Sequence, residues 1–197
     1  MSKIYSRRVW IAGLAAFFLC AGLAQAQVAG AGAPPATVYL IRHAEKLTDG
    51  REDLSERGFE RAKVLADLFV PPPGSTRVPL TRPDVLIATH RSVHSDRPTE
   101  TVTPLAAVLK LPIHNEVKNE DFAELAQDLL SGKYAGKVVL VSWHHGKLPQ
   151  LATALGAKPP YVPWPEDQFD RIWRIDWHDG KAQMTDLPQG LLPGDSK

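Results

Sequence analysis

Three uninterrupted apolar runs, each followed within a few residues by histidine, constrain this chain more than any other feature. They are Val38-Tyr39-Leu40-Ile41, Val85-Leu86-Ile87-Ala88 and Val138-Val139-Leu140-Val141. A strand with one wet face alternates apolar and polar residues. A run that is apolar at every position is buried on both faces, which requires cover on both sides of a sheet and suits parallel strands.

Helical patterns lie between the runs. Ser55 is placed to cap a helix with Glu56 in its first turn, and Phe59, Ala62, Leu65, Ala66 and Phe69 recur at helical spacing until Pro71-Pro72-Pro73 ends the element. Thr103-Pro104 reads as a cap and first helical position, with the helix running to Leu109. Further helices are expected over 120–130 and 148–155, the second closed by Gly156. From Ile172 to Trp177 the pattern alternates at period two, Asp179-Gly180 signals a tight turn, and Ala182 to Leu187 returns. The expected fold is α/β: a three-layer α/β/α sandwich with a mainly parallel central sheet and a C-terminal edge hairpin.

The N-terminus reads as an address. Lys3, Arg7 and Arg8 precede an uncharged apolar stretch from Val9 to about Leu23, and Ala24-Gln25-Ala26 fits a small-x-small cleavage site. Residues 1–26 are therefore expected to be a signal peptide, and the protein periplasmic or secreted. The alternative is a membrane anchor, for which the run is short. Ser6-Arg7-Arg8-Val9-Trp10 also has the look of a twin-arginine export signal, so the export route stays open. Residues 27–36 are small and Pro/Gly-rich, expected as a flexible leader. The folded domain spans 37–190, and 191–197 form a tail expected to fray. Cleavage after Ala26 leaves 171 of the 197 residues and takes the formal charge from +1 to −2. The single cysteine, Cys20, goes with the signal, so thiol catalysis, disulfides and cysteine-bound zinc are excluded from the mature chain. A near-neutral charge also argues against nucleic acid as a partner, and no membrane contact is expected once the signal is removed.

Parallel strands deliver their C-terminal ends to one edge, where open α/β sheets bind ligands. The first run ends in Arg42-His43, the second in Thr89-His90-Arg91 with His94 and Arg97 close behind, the third in Trp143-His144-His145. Five of the seven histidines thus collect at one rim with three arginines. The simplest ligand for such a rim is an anion, and arginine forks favour phosphate or carboxylate. His90 and His94 have the spacing of helical zinc ligands, but no third ligand has partner spacing, so no metal is expected. Trp164, Trp173 and Trp177 read as packing residues, and His114 and His178 as solvated.

These residues carry a resemblance. Arg42-His43-Ala44-Glu45 after a first buried strand resembles the signature of the histidine phosphatase superfamily, which includes the phosphoglycerate-mutase-like enzymes. Leu54-Ser55-Glu56-Arg57-Gly58-Phe59-Glu60-Arg61-Ala62, Arg97-Pro98-Thr99-Glu100-Thr101 and Val139-Leu140-Val141-Ser142-Trp143-His144 resemble its later segments, in the same order. The resemblance implies a small exported member that hydrolyses phosphomonoesters without a metal or other cofactor. His43 would be the nucleophile, Arg42 and Arg97 the clamp on the phosphoryl oxygens, and His144 a further donor to the same anion. Ala44 and Trp143 stand where the family usually has glycine. His144 and His145 both compete for the second histidine; Leu148, four residues after His144, favours His144. The general acid is expected at Glu120 or Asp121. Arg91 and His145 are candidates for contacts to the substrate, with an exposed loop role the alternative for Arg91. The implied partner is a small phosphorylated substrate or a phosphoprotein. The alternative function is a phosphate- or phospho-ligand-binding module of the same fold without turnover.

Overall fold

The computed structural model describes residues 32–196. The expected signal peptide, and residues 27–31 of the leader, lie outside the described residues. The order of elements is β1 (Thr37–Arg42), α1 (Glu56–Val64), β2 (Val85–Ala88), α2 (Arg97–Leu109), β3 (Ile113–His114), α3 (Phe122–Leu130), β4 (Val138–Trp143), α4 (Leu148–Ala154), β5 (Arg171–His178) and β6 (Lys181–Pro188). Short 3₁₀ turns extend α1 over Leu65–Leu68 and precede α3 over Asn119–Asp121. The sheet has six strands in the order β3-β2-β4-β1-β5-β6. β3, β2, β4 and β1 are parallel; β5 runs antiparallel to β1, and β6 antiparallel to β5.

The continuous apolar runs have the expected cause. Val38, Leu40, Val139, Val141 and Trp143 face one way, into a core with Leu125 and Leu129 of α3 and Leu148 and Leu151 of α4. Their neighbours Tyr39, Ile41, Leu86 and Leu140 face the other way, against Val102 and Leu105 of α2 and the Leu65–Phe69 turn. Every residue of β1 and β4 is buried. The three layers are thus helices α1 and α2, the sheet, and helices α3 and α4. Trp164 and Trp173 lie in the core as expected, with ring centroids 4.5 Å apart.

Several local expectations are corrected. Helix α2 begins at Arg97, with Pro98 in its first turn, so Pro104 is inside the helix and not at its start. Thr103, expected as its cap, instead donates its hydroxyl to the Thr99 carbonyl. Phe59 is 48% exposed and takes no part in the buried stripe of α1. The two-residue strand β3 is too short for any periodicity to announce. The hairpin turns through Asp179 and Gly180, both at positive φ (51° and 74°), as a tight two-residue turn requires. Its first strand is interior, between β1 and β6; of the hairpin's two strands only β6 lies at an edge of the sheet.

Both flanks of the domain are held to it. Pro35 of the leader is buried, and the Ala36 amide donates to the Lys137 carbonyl. Buried polar anchors hold the described part of the tail against the domain. The Gln189 side chain, 1% exposed, donates to the carbonyls of Phe169 and Arg171, and Asp195 accepts two hydrogen bonds from the Arg61 guanidinium.

Candidate active site

The topology brings the site together. The parallel strands β1, β2 and β4 end at the same edge, placing Arg42-His43, Thr89-His90 and His144-His145 there. The antiparallel partner β5 starts at that edge, since Ile172 pairs with Ile41. Residues 165–170 are therefore delivered beside His43. β6 ends there too, since Pro188 pairs with Arg171, and it carries the tail to the same edge.

The loop after β1 is fixed by its backbone. The His43 amide donates to the Trp143 carbonyl (3.1 Å), and the Ala44 amide donates to Thr101 Oγ1 of α2 (2.9 Å). The Glu45 carbonyl accepts from both the amide and the hydroxyl of Ser55, whose Oγ in turn accepts from the Gly58 amide and caps α1. Gly58 allows this closeness: a Cβ there would stand 2.2 Å from the Glu45 carbonyl oxygen. Gly58→Ala is expected to push the loop away from α1, destabilising the fold by about 1–3 kcal/mol as overpacking does, with a matching fall in urea midpoint. Ala44 is fully buried and is not among the positive-φ residues, so its methyl is accommodated without backbone strain. Trp143 is accommodated as well, because its indole packs in the α3–α4 core.

His43 is 2% exposed. Its Nδ1–H donates to the Ala44 carbonyl (2.7 Å), which leaves Nε2 with its lone pair free. Arg42, 1% exposed, sits beside it with its guanidinium 3.8 Å over the Phe169 ring. Arg42 Nη1 donates to the carbonyls of Pro165, Glu166 and Gln168 (3.0, 2.7 and 3.2 Å). Its Nε and Nη2 are buried and have no protein partner. Burial lowers its pKa to about 10, so it stays charged at neutral pH. Arg97 repeats the arrangement: Nη1 donates to the Arg51 carbonyl (3.1 Å), and Nε is buried without a partner. Each guanidinium is half anchored and half open. Buried donors left open in this way cost about 1–3 kcal/mol each unless a ligand accepts from them.

His144 meets His43 edge-on, ring centroids 5.3 Å apart. Phe169 closes the other side at 6.1 Å. The Nε2 of His145 stands 2.9 Å from Glu166 Oε1. The structure thus brings together Arg42, His43, Arg97 and His144, and places His144, not His145, against His43. Arg91 is exposed and paired with Glu52 at 2.7 Å. His90 is exposed, with Nδ1 3.0 Å from the Asn115 carbonyl. Glu120 and Asp121 are exposed in the turn before α3. Glu120 is 2.6 Å from Lys147 Nζ, a contact that holds its carboxyl below the usual carboxylate range. Among the described residues, no hydrogen bond or ring contact joins Glu120 or Asp121 to His43, His144, Arg42 or Arg97. Nor, among them, do three His, Cys, Asp or Glu side chains group to hold a metal ion.

The Ala44 carbonyl, the 165–168 carbonyls, Phe169 and the Arg61 network were not anticipated from sequence. Pro165-Glu166-Asp167-Gln168 has no periodicity. Its only signal is position, immediately before a strand that pairs antiparallel with β1.

Both central imidazoles are held neutral. Burial puts His43 well below the ordinary histidine range. His144 lies at about 4, lowered by burial first and then by the charges of Arg97, His145 and Arg42. An unfolded histidine takes up its proton near pH ~6.5, while these refuse it in the fold. Below that pH the unfolded state binds more protons, so stability falls as pH drops from there toward 4. Urea midpoints are expected to decline over this interval, and His144→Asn to decline less. Equal slopes would show that His144 is not a neutral buried group.

No family model matches the chain, and no curated protein matches it. Solved structures do. One is the alpha-ribazole phosphatase from Shigella flexneri, at 19% identity and TM-score 0.52, covering 77% of this chain and 96% of that one. Another is the phosphoserine phosphatase from Entamoeba histolytica in complex with 3-phosphoglyceric acid, at 15% identity and TM-score 0.54, covering 79% of this chain and 99% of that one. At such identities the likeness concerns the fold: a six-stranded, mostly parallel sheet flanked by helices, the phosphoglycerate-mutase-like fold.

Proposed function

We propose that this chain is a phosphatase of the histidine phosphatase superfamily, hydrolysing phosphomonoesters through a phosphohistidine at His43 without a metal. The observation that carries the reading is the set of buried, unpaired guanidinium nitrogens of Arg42 (Nε and Nη2) and Arg97 (Nε) beside an imidazole whose tautomer is already set. A phosphoryl group is the anion that uses all of it. Arg42 Nε and Nη2 and Arg97 Nε bind its oxygens, and His144 adds a donor. Phosphorus then lies in reach of His43 Nε2. As the N–P bond forms, the imidazole becomes cationic, and the Ala44 carbonyl on Nδ1–H stabilises that charge. Water then attacks phosphorus and returns the electron pair to Nε2. Splitting the displacement in two, with charge held by fixed donors, is the main source of rate.

A second reading, a phospho-ligand-binding module, draws on the outward position of Glu120 and Asp121, which leaves the expected acid away from His43. One experiment separates the two: the chain without residues 1–26 is incubated with an aryl phosphate in excess chelator. Turnover, with an acid-labile phosphoryl-enzyme after quench, supports the hydrolase. Tight phosphate binding by calorimetry with no turnover supports the module. The substrate is proposed as a small phosphate ester or a phosphoprotein.

The same proposal places the protein outside the cytoplasm. Its basis is the basic segment, apolar stretch and cleavage pattern before residue 27. Fractionated cells are expected to hold the 171-residue product in the periplasm or medium. Full-length chain retained in the inner membrane would sink this part.

A further inference from the structure

Resting on the hydrolase reading, we infer that His145, oriented by Glu166, is the proton donor to the leaving oxygen. The two nitrogens of this ring have opposite surroundings. Nε2 faces the Glu166 carboxylate at 2.9 Å, so it carries a hydrogen and donates it there. Nδ1 is buried and has no protein partner. A buried ring nitrogen without a partner is uncommon, and a catalytic role is one of the few explanations for it.

Its location fits that role. His145 follows His144 directly, and its charge acts on His144. The charges of Arg42, Lys46 and Glu166 all act on His145. Glu166 belongs to the loop whose carbonyls anchor Arg42, so the loop that sets the clamp also sets the donor. Burial first, and then Arg42 and Lys46, disfavour a proton on His145, whereas Glu166 and an arriving phosphoryl dianion favour one. The ring is thus protonated most readily when substrate is bound. Glu120, paired with Lys147 and favoured in its ionised form, is poorly suited to the task.

The step balances. His43 Nε2 forms the N–P bond as the P–O bond breaks. The electron pair of that bond goes to the leaving oxygen, which takes the proton that His145 Nδ1 gained from water as the ester bound, and departs as an alcohol. In the second step water attacks phosphorus and gives a proton to Nδ1. The N–P bond breaks back to His43, and phosphate leaves. His145 ends as it began.

The test uses leaving groups of different need. A nitrophenyl phosphate departs without a proton; an alkyl phosphate such as glycerol phosphate does not. The measured quantity is kcat/KM, which covers steps up to loss of the leaving group. For H145Q we expect a fall of at least about 100-fold on the alkyl ester, the usual share of a general acid, with the aryl ester within about threefold. Glu166→Gln, which removes only a positioning residue, should shift the same ratio by about tenfold. Equal losses on both esters, or none on the alkyl ester, overturn the assignment while leaving the hydrolase reading intact. A wild type inactive on both overturns the hydrolase reading, and this assignment with it.

Discussion

Replacing His43 with alanine is expected to lower turnover of an aryl phosphate by at least about 10⁴-fold, the scale seen when a covalent nucleophile is removed. The fold should survive. His43 makes one side-chain hydrogen bond, to its neighbour's carbonyl, and the loop is fixed by backbone bonds from His43 and Ala44 that alanine retains. The variant should still bind inorganic phosphate, because Arg42 and Arg97 are untouched. It should form no acid-labile phosphoryl-enzyme after quench. Turnover surviving in the alanine variant would end the phosphohistidine reading whatever the state of the arginines.

The second large effect lies one layer behind. The Arg61 guanidinium is 2% exposed and joins Glu45 and Asp195, at 2.8 and 2.7 Å. Burial pulls its pKa down, but the hydrogen bonds it donates to Asp195 and Glu45 raise it above the ordinary arginine value. Asp195 answers in kind: burial raises its carboxyl, and hydrogen bonds from Arg61 and from the Leu191 and Leu192 amides together more than offset this, leaving it at about 2. Arg61→Met would leave two carboxylates facing each other, one of them 3% exposed. Removing one partner of a buried pair destabilises by about 3–5 kcal/mol, which for a domain of this size is a melting point lower by about 10 °C. Loss of the exposed Arg51–Asp49 pair should change nothing measurable.

The sign with pH follows. Asp195 has a folded pKa below its unfolded value, so its stabilisation is present above about pH 4. It is lost as pH falls toward 2, and the Arg61→Met variant should be flat over that interval. A variant that melts with the wild type would show the network to be dispensable. Because Glu45 stands two positions after His43, the variant should also lose activity at temperatures where it is still folded.

What was legible in sequence and what was not divide along physical lines. Val38–Ile41, Val85–Ala88 and Val138–Val141 were readable because burial on both faces leaves an unbroken apolar pattern. Arg42, His43, Arg97 and His144 were readable because parallel strands must share an edge. The start of α2 was misread because Pro104 is a plausible first helical residue, and only the helix contacts reveal that Arg97 and Pro98 begin it. The partners of Arg42 were hidden because backbone carbonyls at 165–168 carry no residue signature. Asp195 was hidden because a polar residue near a terminus looks solvated until its partner is placed 134 positions away. The choice between His144 and His145 needed ring positions, which spacing only suggests.

The strand order has a consequence for how the protein comes into being. β1 leads directly into His43, yet its two neighbours in the sheet are β4 and β5, made about a hundred residues or more later. Until that distant chain has emerged, the strand leading into His43 has nothing to pair with. The site cannot assemble on a partial chain, and its last clamp arrives at Asp195, close to the final residue. Such long-range pairing makes folding slow. A nascent chain of this topology therefore stays open through synthesis, the state in which a polypeptide can be threaded through a narrow pore.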